Sequence, residues 1–381
     1  MRVGLVCPYS LTVPGGVQAQ VLGLARALRG VGHDVRVLAP CDGPPPELFV
    51  TPLGNSLPTA ANGSIAPLAP DPAASLRTIR ALRDEEFDVL HLHEPIAPGP
   101  TNTAAIVHPA PIVGTFHAAG DSAGYRMLQP FVRWMAGHLE LRCAVSPDAA
   151  ALAKRYMGGT YEVLFNGIEL DRFRGGEPTK TSNPTIFFCG RHEPRKGLEV
   201  LLEALQQLPA DVRLWVASNG PDTARLQATY AGDPRVEWLG RITEAEKAAR
   251  LQGASVFCAP ALGGESFGVV LLEAMAAGTA VVASDIPGYR NVAAPGRDAV
   301  MVAPDDPSAL AAALRRILTD DDLADDIRRA GTARVESFSM DHLAALYLER
   351  YERILAEAVT TRASPRGGRL ARRMRGSWAR R

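Results

Sequence analysis

Two series of short apolar runs, with helical stretches between them, constrain this chain more than any other feature. Val3–Cys7, Val35–Leu38, Val89–His93, Ile112–Thr115 and Arg142–Val145 form the first series. Thr185–Gly190, Arg213–Ala217, Val236–Leu239, Val256–Ala259 and Ala280–Ala283 form the second. Between them lie helical patterns such as Gln18–Leu28 and Leu198–Gln206. Strands that alternate with helices pair in parallel, because each parallel pairing needs a crossover. In 381 residues, two series predict two doubly wound, Rossmann-like α/β domains facing each other across a cleft, where such folds bind ligands. A stretch rich in Gly, Pro and charge, residues 166–184, is the predicted linker. The Pro-rich segment from Pro40 to Pro72 has weak periodicity and reads as irregular surface loop.

The segment Gly263–Asp285, GGESFGVVLLEAMAAGTAVVASD, reads as a glycine-rich loop, a helix and a buried strand. Paired glycines let backbone amides approach an anion, and the helix that follows aims its positive end at the same place. Glu265 falls in the loop and Glu273 about two turns into the helix. Two carboxylates cannot both serve a phosphate, but they suit the hydroxyl donors of a sugar and a ribose. The combination predicts a sugar nucleotide. Upstream, GRHEPRKG (Gly190–Gly197) follows a strand and opens a helix, with Arg191 and Lys196 placed to clamp a diphosphate. Taken alone, it is equally a solvated basic turn. Pro14-Gly15-Gly16-Val17 joins the first strand to the first helix, either as a phosphate-approaching loop or as an ordinary βα turn.

In this order the motifs resemble those of the retaining glycosyltransferases of the family 4 type, and most of all the actinobacterial phosphatidylinositol α-mannosyltransferases. The likeness runs from MRVGLVCPYSLTVPGGVQ to about Val359. It implies a GT-B fold, with an acceptor-side domain over 1–168, a nucleotide-sugar domain over 169–338, and a terminal helix over 339–359 that returns to the first domain. A basic tail, 360–381, follows. The implied reaction moves mannose from GDP-mannose to a membrane-located polyol or lipid, first of all phosphatidylinositol. A soluble transferase using a UDP- or GDP-sugar on a small acceptor is the alternative. No cofactor or metal is implied beyond the donor. By resemblance, His117 lies beside the transferred sugar, while Arg191 and Lys196 neutralise the departing diphosphate. The backbone of Ser266, Phe267, Gly268 and Val269 holds that diphosphate, Glu265 meets the sugar and Glu273 the ribose. Gly15 and Gly16 belong to a donor loop that closes on substrate. Glu244 and Lys247 fall on guanine-contacting positions. A carboxylate can pair with guanine N1–H and N2, whereas uracil offers one comparable donor, which favours GDP. Asn62 and Ser64 match a phrase that seats the inositol head group. Three positions depart from the pattern: Ala61 replaces an aromatic residue, Pro67 an arginine that would bind lipid phosphate, and Thr12 an acid.

The composition, 46% hydrophobic, contains no run long enough to span a bilayer, and MRVGLVC followed by Pro8 is a strand rather than a signal peptide. The expected location is cytoplasmic, peripheral on the inner face of the plasma membrane. Five scattered cysteines without CxxC spacing predict neither disulfides nor a zinc site. His91, His93 and Glu94 in HLHEP allow a metal reading, but buried polar support is preferred. The 41 basic residues match 41 acidic ones only because eight arginines crowd the last 22 residues. That tail fits an anionic membrane, with nucleic acid the competing and less expected partner. A second membrane candidate is the helix Ala73–Arg83, with Leu76, Ile79 and Leu82 as a stripe edged by Arg77, Arg80 and Arg83.

Overall fold

The computed structural model describes residues 1–61, 64–118 and 123–363. It divides into two compact units: Met1–Leu164 together with the chain from Leu343 onward, and Phe165–His342.

Each unit is built on a parallel sheet. Among the described residues the first sheet runs, in spatial order, Val50–Pro52, Asp34–Ala39, Arg2–Val6, Val89–His93, Ile112–Phe116, Leu141–Ala144 and Glu162–Val163. The second runs Val236–Gly240, Arg213–Ala217, Thr185–Cys189, Val256–Ala259, Ala280–Ser284 and Val300–Val302. Strands Val89–His93, Ile112–Phe116 and Ala280–Ser284 are buried throughout, as expected of parallel strands covered by helices on both faces. Strand order reverses beside Arg2–Val6 and again beside Thr185–Cys189, so the loops leaving these strands open at the topological switch points where α/β sheets bind ligands.

Helix starts fall into two kinds. Asp71, Ser146, Thr243, Asp306 and Asp320 each cap a helix by accepting an amide three residues on, at 2.8–3.1 Å. The acidic runs at 305–306 and 320–322 are such starts. In contrast, the helices Gly16–Gly30 and Val269–Ala276 begin after Gly15 and Gly268, with no side-chain cap and no acid in the first turn. No side chain satisfies their leading amides, though in the second helix the Leu271 N–H bonds the Gly268 carbonyl at 3.0 Å.

The helix Met340–Ala363 runs four residues past the expected end at Val359, since TTRA has no helix breaker. From Leu343 it belongs to the first unit, where Tyr347 and Tyr351 are buried. Arg350 (3.0 Å) and Arg353 pair with Glu162; burial opposes the charge, but the two guanidiniums hold this carboxyl below its ordinary range. The rest of the basic tail lies outside the described residues.

The expected irregular loop between Pro40 and Pro72 is corrected. Val50–Pro52 joins the sheet edge, and Leu57–Ala61 pairs antiparallel with Ser64–Leu68. Asn62-Gly63 between two apolar runs was the available hairpin signal, hidden by Pro58 and Pro67. All five cysteines are free, and burial pushes the Cys7 and Cys143 thiols up to about 12.

Candidate active site

In the second unit, the loop leaving Thr185–Cys189 carries Arg191 and Lys196, and the loop leaving the neighbouring strand Val256–Ala259 carries Glu265. The two loops are zipped by a bond from the Leu262 N–H to the Arg195 carbonyl, 2.8 Å. Gly197 makes the approach possible. It sits at φ +67°, and a Cβ there would lie 1.9 Å from the Pro260 carbonyl oxygen. Lys196 Nζ then reaches Glu265 Oε1 at 2.6 Å, and Arg195 Nη1 reaches the same oxygen at 2.8 Å. The Lys196 and Glu265 side chains are 17% and 14% exposed, so the pair is sheltered but reachable. Arg191 is 53% exposed and lies 4.0 Å from Glu193, which pairs with Arg195 at 2.6 Å. Arg195 is the cation that sequence reasoning missed. Its place beside Lys196 in PRKG was the only signal.

The glutamate loop rests on a short helix, Pro287–Arg290, that also escaped notice. A Cβ on Gly288 would fall 1.9 Å from the Glu265 carbonyl oxygen, and Asn291 donates from Nδ2 to the Ser266 carbonyl at 3.1 Å. Buried Tyr289 fills the space under Gly268, which turns at φ +91°. Phe267 is 4% exposed and packs on Phe338, so only its backbone is offered to a ligand. The helix begins at Val269, which puts Glu273 about one turn into it rather than two.

Glu273 belongs to a second cluster. Lys247 Nζ bonds Glu273 at 2.8 Å and Glu244 at 3.0 Å, with its ammonium 5.5 Å from the Phe173 ring centroid. Burial opposes the ammonium, yet the two carboxylates hold Lys247 above its ordinary value. Burial pushes the Glu273 carboxyl up, with Lys247 resisting. Glu244 is the outer member, 59% exposed at the first position of the helix Glu244–Gly253. Both clusters gather at one strand end: the Cys189 thiol, raised to about 11 chiefly by burial, feels the charges of Lys247, Glu273, Glu244 and Lys196.

In the first unit, Gly15 is extended (φ −172°), and a Cβ there would meet Gln18 Oε1 at 2.3 Å. Gln18 is fixed by donating to the carbonyls of Ser10 (3.4 Å) and Val13 (3.1 Å), so that loop needs the small residue. A Cβ on Gly16 would meet nothing within 4 Å, which leaves its face open. His117 follows the strand Ile112–Phe116 and is 9% exposed. Thr12 bonds Ser10 and accepts the Asp42 N–H at 3.0 Å, a local turn contact. Ser64 opens a hairpin strand, and Asn62 lies outside the described residues. Among the described residues no cluster of His, Cys, Asp and Glu has metal-binding geometry; His91 and His93 are buried in the sheet.

A family model described as Glycosyltransferase Family 4 matches residues 14–172, and one for group 1 glycosyl transferases matches residues 183–320. The phosphatidyl-myo-inositol mannosyltransferase of Mycolicibacterium smegmatis is 40% identical over 381 residues, covering 96% of this chain and 97% of its own. That of Mycobacterium leprae is 40% identical over 370 residues, covering 93% and 97%. The chain belongs to glycosyltransferase family 4. Sucrose-phosphate synthase from Thermosynechococcus elongatus superposes with a TM-score of 0.73 at 20% identity, over 93% of this chain and 99% of that one, a likeness of fold. The fold of this glycosyltransferase is GT-B, two Rossmann-like units, and its activity is that of a hexosyltransferase. Among its described residues no helix is long and apolar enough to cross a membrane.

Proposed function

We propose that this glycosyltransferase moves mannose, with retention, from GDP-mannose to the inositol of phosphatidylinositol at a membrane surface. The observation that carries the donor side is the Lys196–Glu265 pair, 2.6 Å apart, in loops beside the uncapped helix at Val269. The acceptor rests on the names of the relatives above.

In this reading the diphosphate lies against the leading amides of Val269–Ala276, with Lys196 and Arg191 on its oxygens. As the bond from the anomeric carbon to the diphosphate oxygen breaks, negative charge grows where these donors are already fixed. Both cations near Glu265 bond Oε1, which leaves Oε2 for a mannose hydroxyl. The inositol hydroxyl attacks from the face the diphosphate leaves, and its proton passes to a diphosphate oxygen, giving GDP and an α-mannoside. Glu273 takes the ribose hydroxyls, and Glu244 the guanine edge, with Lys247 between them.

Donor choice is read by melting temperature against GDP, UDP and their sugars. GDP and GDP-mannose are expected to stabilise most. Glu244→Ala is expected to weaken GDP about 10- to 100-fold, the value of a charge-assisted pair, and to leave UDP little changed. Equal stabilisation by UDP would favour the alternative soluble transferase.

For the membrane, the structure redraws the expected stripe on Pro72–Glu85. Ala74, Thr78 and Leu82 face the core, while Leu76 (67% exposed) and Ile79 (42%) share the outer face with Arg80 and Arg83. The core face follows i, i+4 spacing from 74, which takes Leu82 out of the stripe. Arg77 is tied to the Leu53 carbonyl at 3.2 Å. We assign the outer face to an anionic leaflet, with the arginine-rich tail as a second contact. Arg80→Glu with Arg83→Glu is expected to lower co-sedimentation with phosphatidylglycerol vesicles at least tenfold, at ~1 kcal/mol per basic residue removed. Deleting residues 364–381 separates the share of the tail.

A further inference from the structure

A short helix in the predicted linker, Asp171–Arg174, brings a further charge to the Glu244 cluster. It packs on the helices Glu244–Gly253 and Val269–Ala276. Phe173 is buried there, and Gln252 donates from Nε2 to the carbonyls of Phe173 and Gly175, which pins the segment from both sides. The preceding residue, Arg172, is held by its own bond from Nη1 to Glu169 Oε2 at 3.0 Å. Its Nη2 stands 3.6 Å from Glu244 Oε2, the oxygen that Lys247 Nζ approaches at 3.0 Å. All of these residues belong to the second unit, Phe165–His342.

The two cations at Oε2 differ in what they have left to give. Lys247 is 12% exposed, and its ammonium is shared between Glu273 and Glu244. Arg172 is 41% exposed, and 3.6 Å is too long for a hydrogen bond, so among the described residues its Nη2 donates to nothing. Nothing described bonds Glu244 Oε1 either. One carboxylate and one guanidinium therefore stand side by side, an open acceptor next to an open donor.

Guanine's Watson–Crick edge runs from the N2 amine through N1–H to O6, two donors and then an acceptor. The protein runs from Glu244 Oε1 through Oε2 to Arg172 Nη2, two acceptors and then a donor. The orders agree when Oε2 takes N1–H, because O6 neighbours N1 as Nη2 neighbours Oε2. Adenine, with an acceptor at N1 and a donor at N6, meets the same pair with both signs wrong.

We propose that Arg172 is a specificity-determining residue for the donor base, giving a hydrogen from Nη2 to guanine O6 while Glu244 accepts from N1 and N2. This rests on the reading of GDP-mannose as the donor.

The test titrates full-length enzyme by calorimetry with GDP, UDP, IDP and 6-thio-GDP. IDP lacks the N2 amine, and 6-thio-GDP replaces O6 by sulfur, a weak acceptor. Wild-type enzyme is expected to bind GDP about tenfold more tightly than either analogue, the value of one charge-assisted hydrogen bond. Arg172→Ala is expected to lose the preference over 6-thio-GDP and to keep that over IDP. Glu244→Ala is expected to lose the preference over IDP. If Arg172→Ala lowers the melting temperature, Arg172→Met, which retains the apolar stem, is read in its place. A preference over 6-thio-GDP that survives without Arg172 would overturn the proposal, as would equal losses for GDP and 6-thio-GDP, the mark of a residue that only holds the linker. Wild-type enzyme that binds UDP as tightly as GDP would instead overturn the donor reading on which the proposal rests.

Discussion

Lys196→Ala is expected to lower kcat for mannosyl transfer by about 10²–10³-fold while the protein stays folded. The ammonium lies 2.6 Å from Glu265 and 17% exposed, so its loss opens no core cavity. What disappears is a positive charge fixed where the diphosphate gains its negative charge, an interaction stronger in the transition state than in the bound donor. Glu265→Ala is expected to fall by a similar factor, since Lys196 and Arg195 lose the oxygen that aims them. Glu273→Gln differs in kind. A ribose contact is made equally before and during reaction, so donor KM should rise with kcat little changed. Initial-rate kinetics with melting curves for the three variants check this. A Lys196→Ala enzyme with wild-type kcat would remove the diphosphate site from the account.

Gly197→Ala is expected to have the larger effect on stability. The residue is left-handed, at φ +67°, and a Cβ would stand 1.9 Å from a backbone oxygen, Pro260 O, which no rotamer change relieves. Backbone strain of about 1–3 kcal/mol adds to an overpacking term of similar size. At about 2–4 °C per kcal/mol for a unit of this size, the melting temperature should fall by roughly 5–15 °C. Activity should fall further, because the neighbouring Lys196 moves with the loop and a misplacement of about 1 Å can cost 10²-fold. Gly278→Ala is the control. It has φ +74° but nothing within 4 Å of the Cβ position, so strain acts alone and transfer should persist. Equal melting losses in both variants would show that contact with Pro260 is unimportant.

The same pair of loops shows what was legible in the sequence. The parallel sheets were visible because strands such as Ile112–Phe116 and Ala280–Ser284, buried on both faces, must be written as continuous apolar runs. Lys196, Glu265 and Glu273 were visible because glycines and charges beside such runs have little structural use. Contacts that need a third element were hidden. Gly288 sits 23 residues beyond Glu265 in the chain, and nothing local announces that its backbone passes under that residue. Arg195 read as one more basic residue in a turn. The hairpin Leu57–Ala61/Ser64–Leu68 was obscured by its prolines, which argue against a strand inside a sheet but are tolerated in a two-stranded ribbon. The outer face of Pro72–Glu85 was misdrawn by one residue because its core side is built from small Ala74 and Thr78, whose burial no hydropathy pattern reveals.

The central claim is that this chain carries mannose from GDP-mannose to phosphatidylinositol. The direct measurement is incubation of purified enzyme with mannose-labelled GDP-mannose and vesicles containing phosphatidylinositol, followed by extraction of the lipid. The expected result is label in a lipid that yields an α-mannosyl inositol on deacylation, lost in Lys196→Ala. Label that enters no lipid, or that enters only when UDP-glucose replaces GDP-mannose, contradicts it.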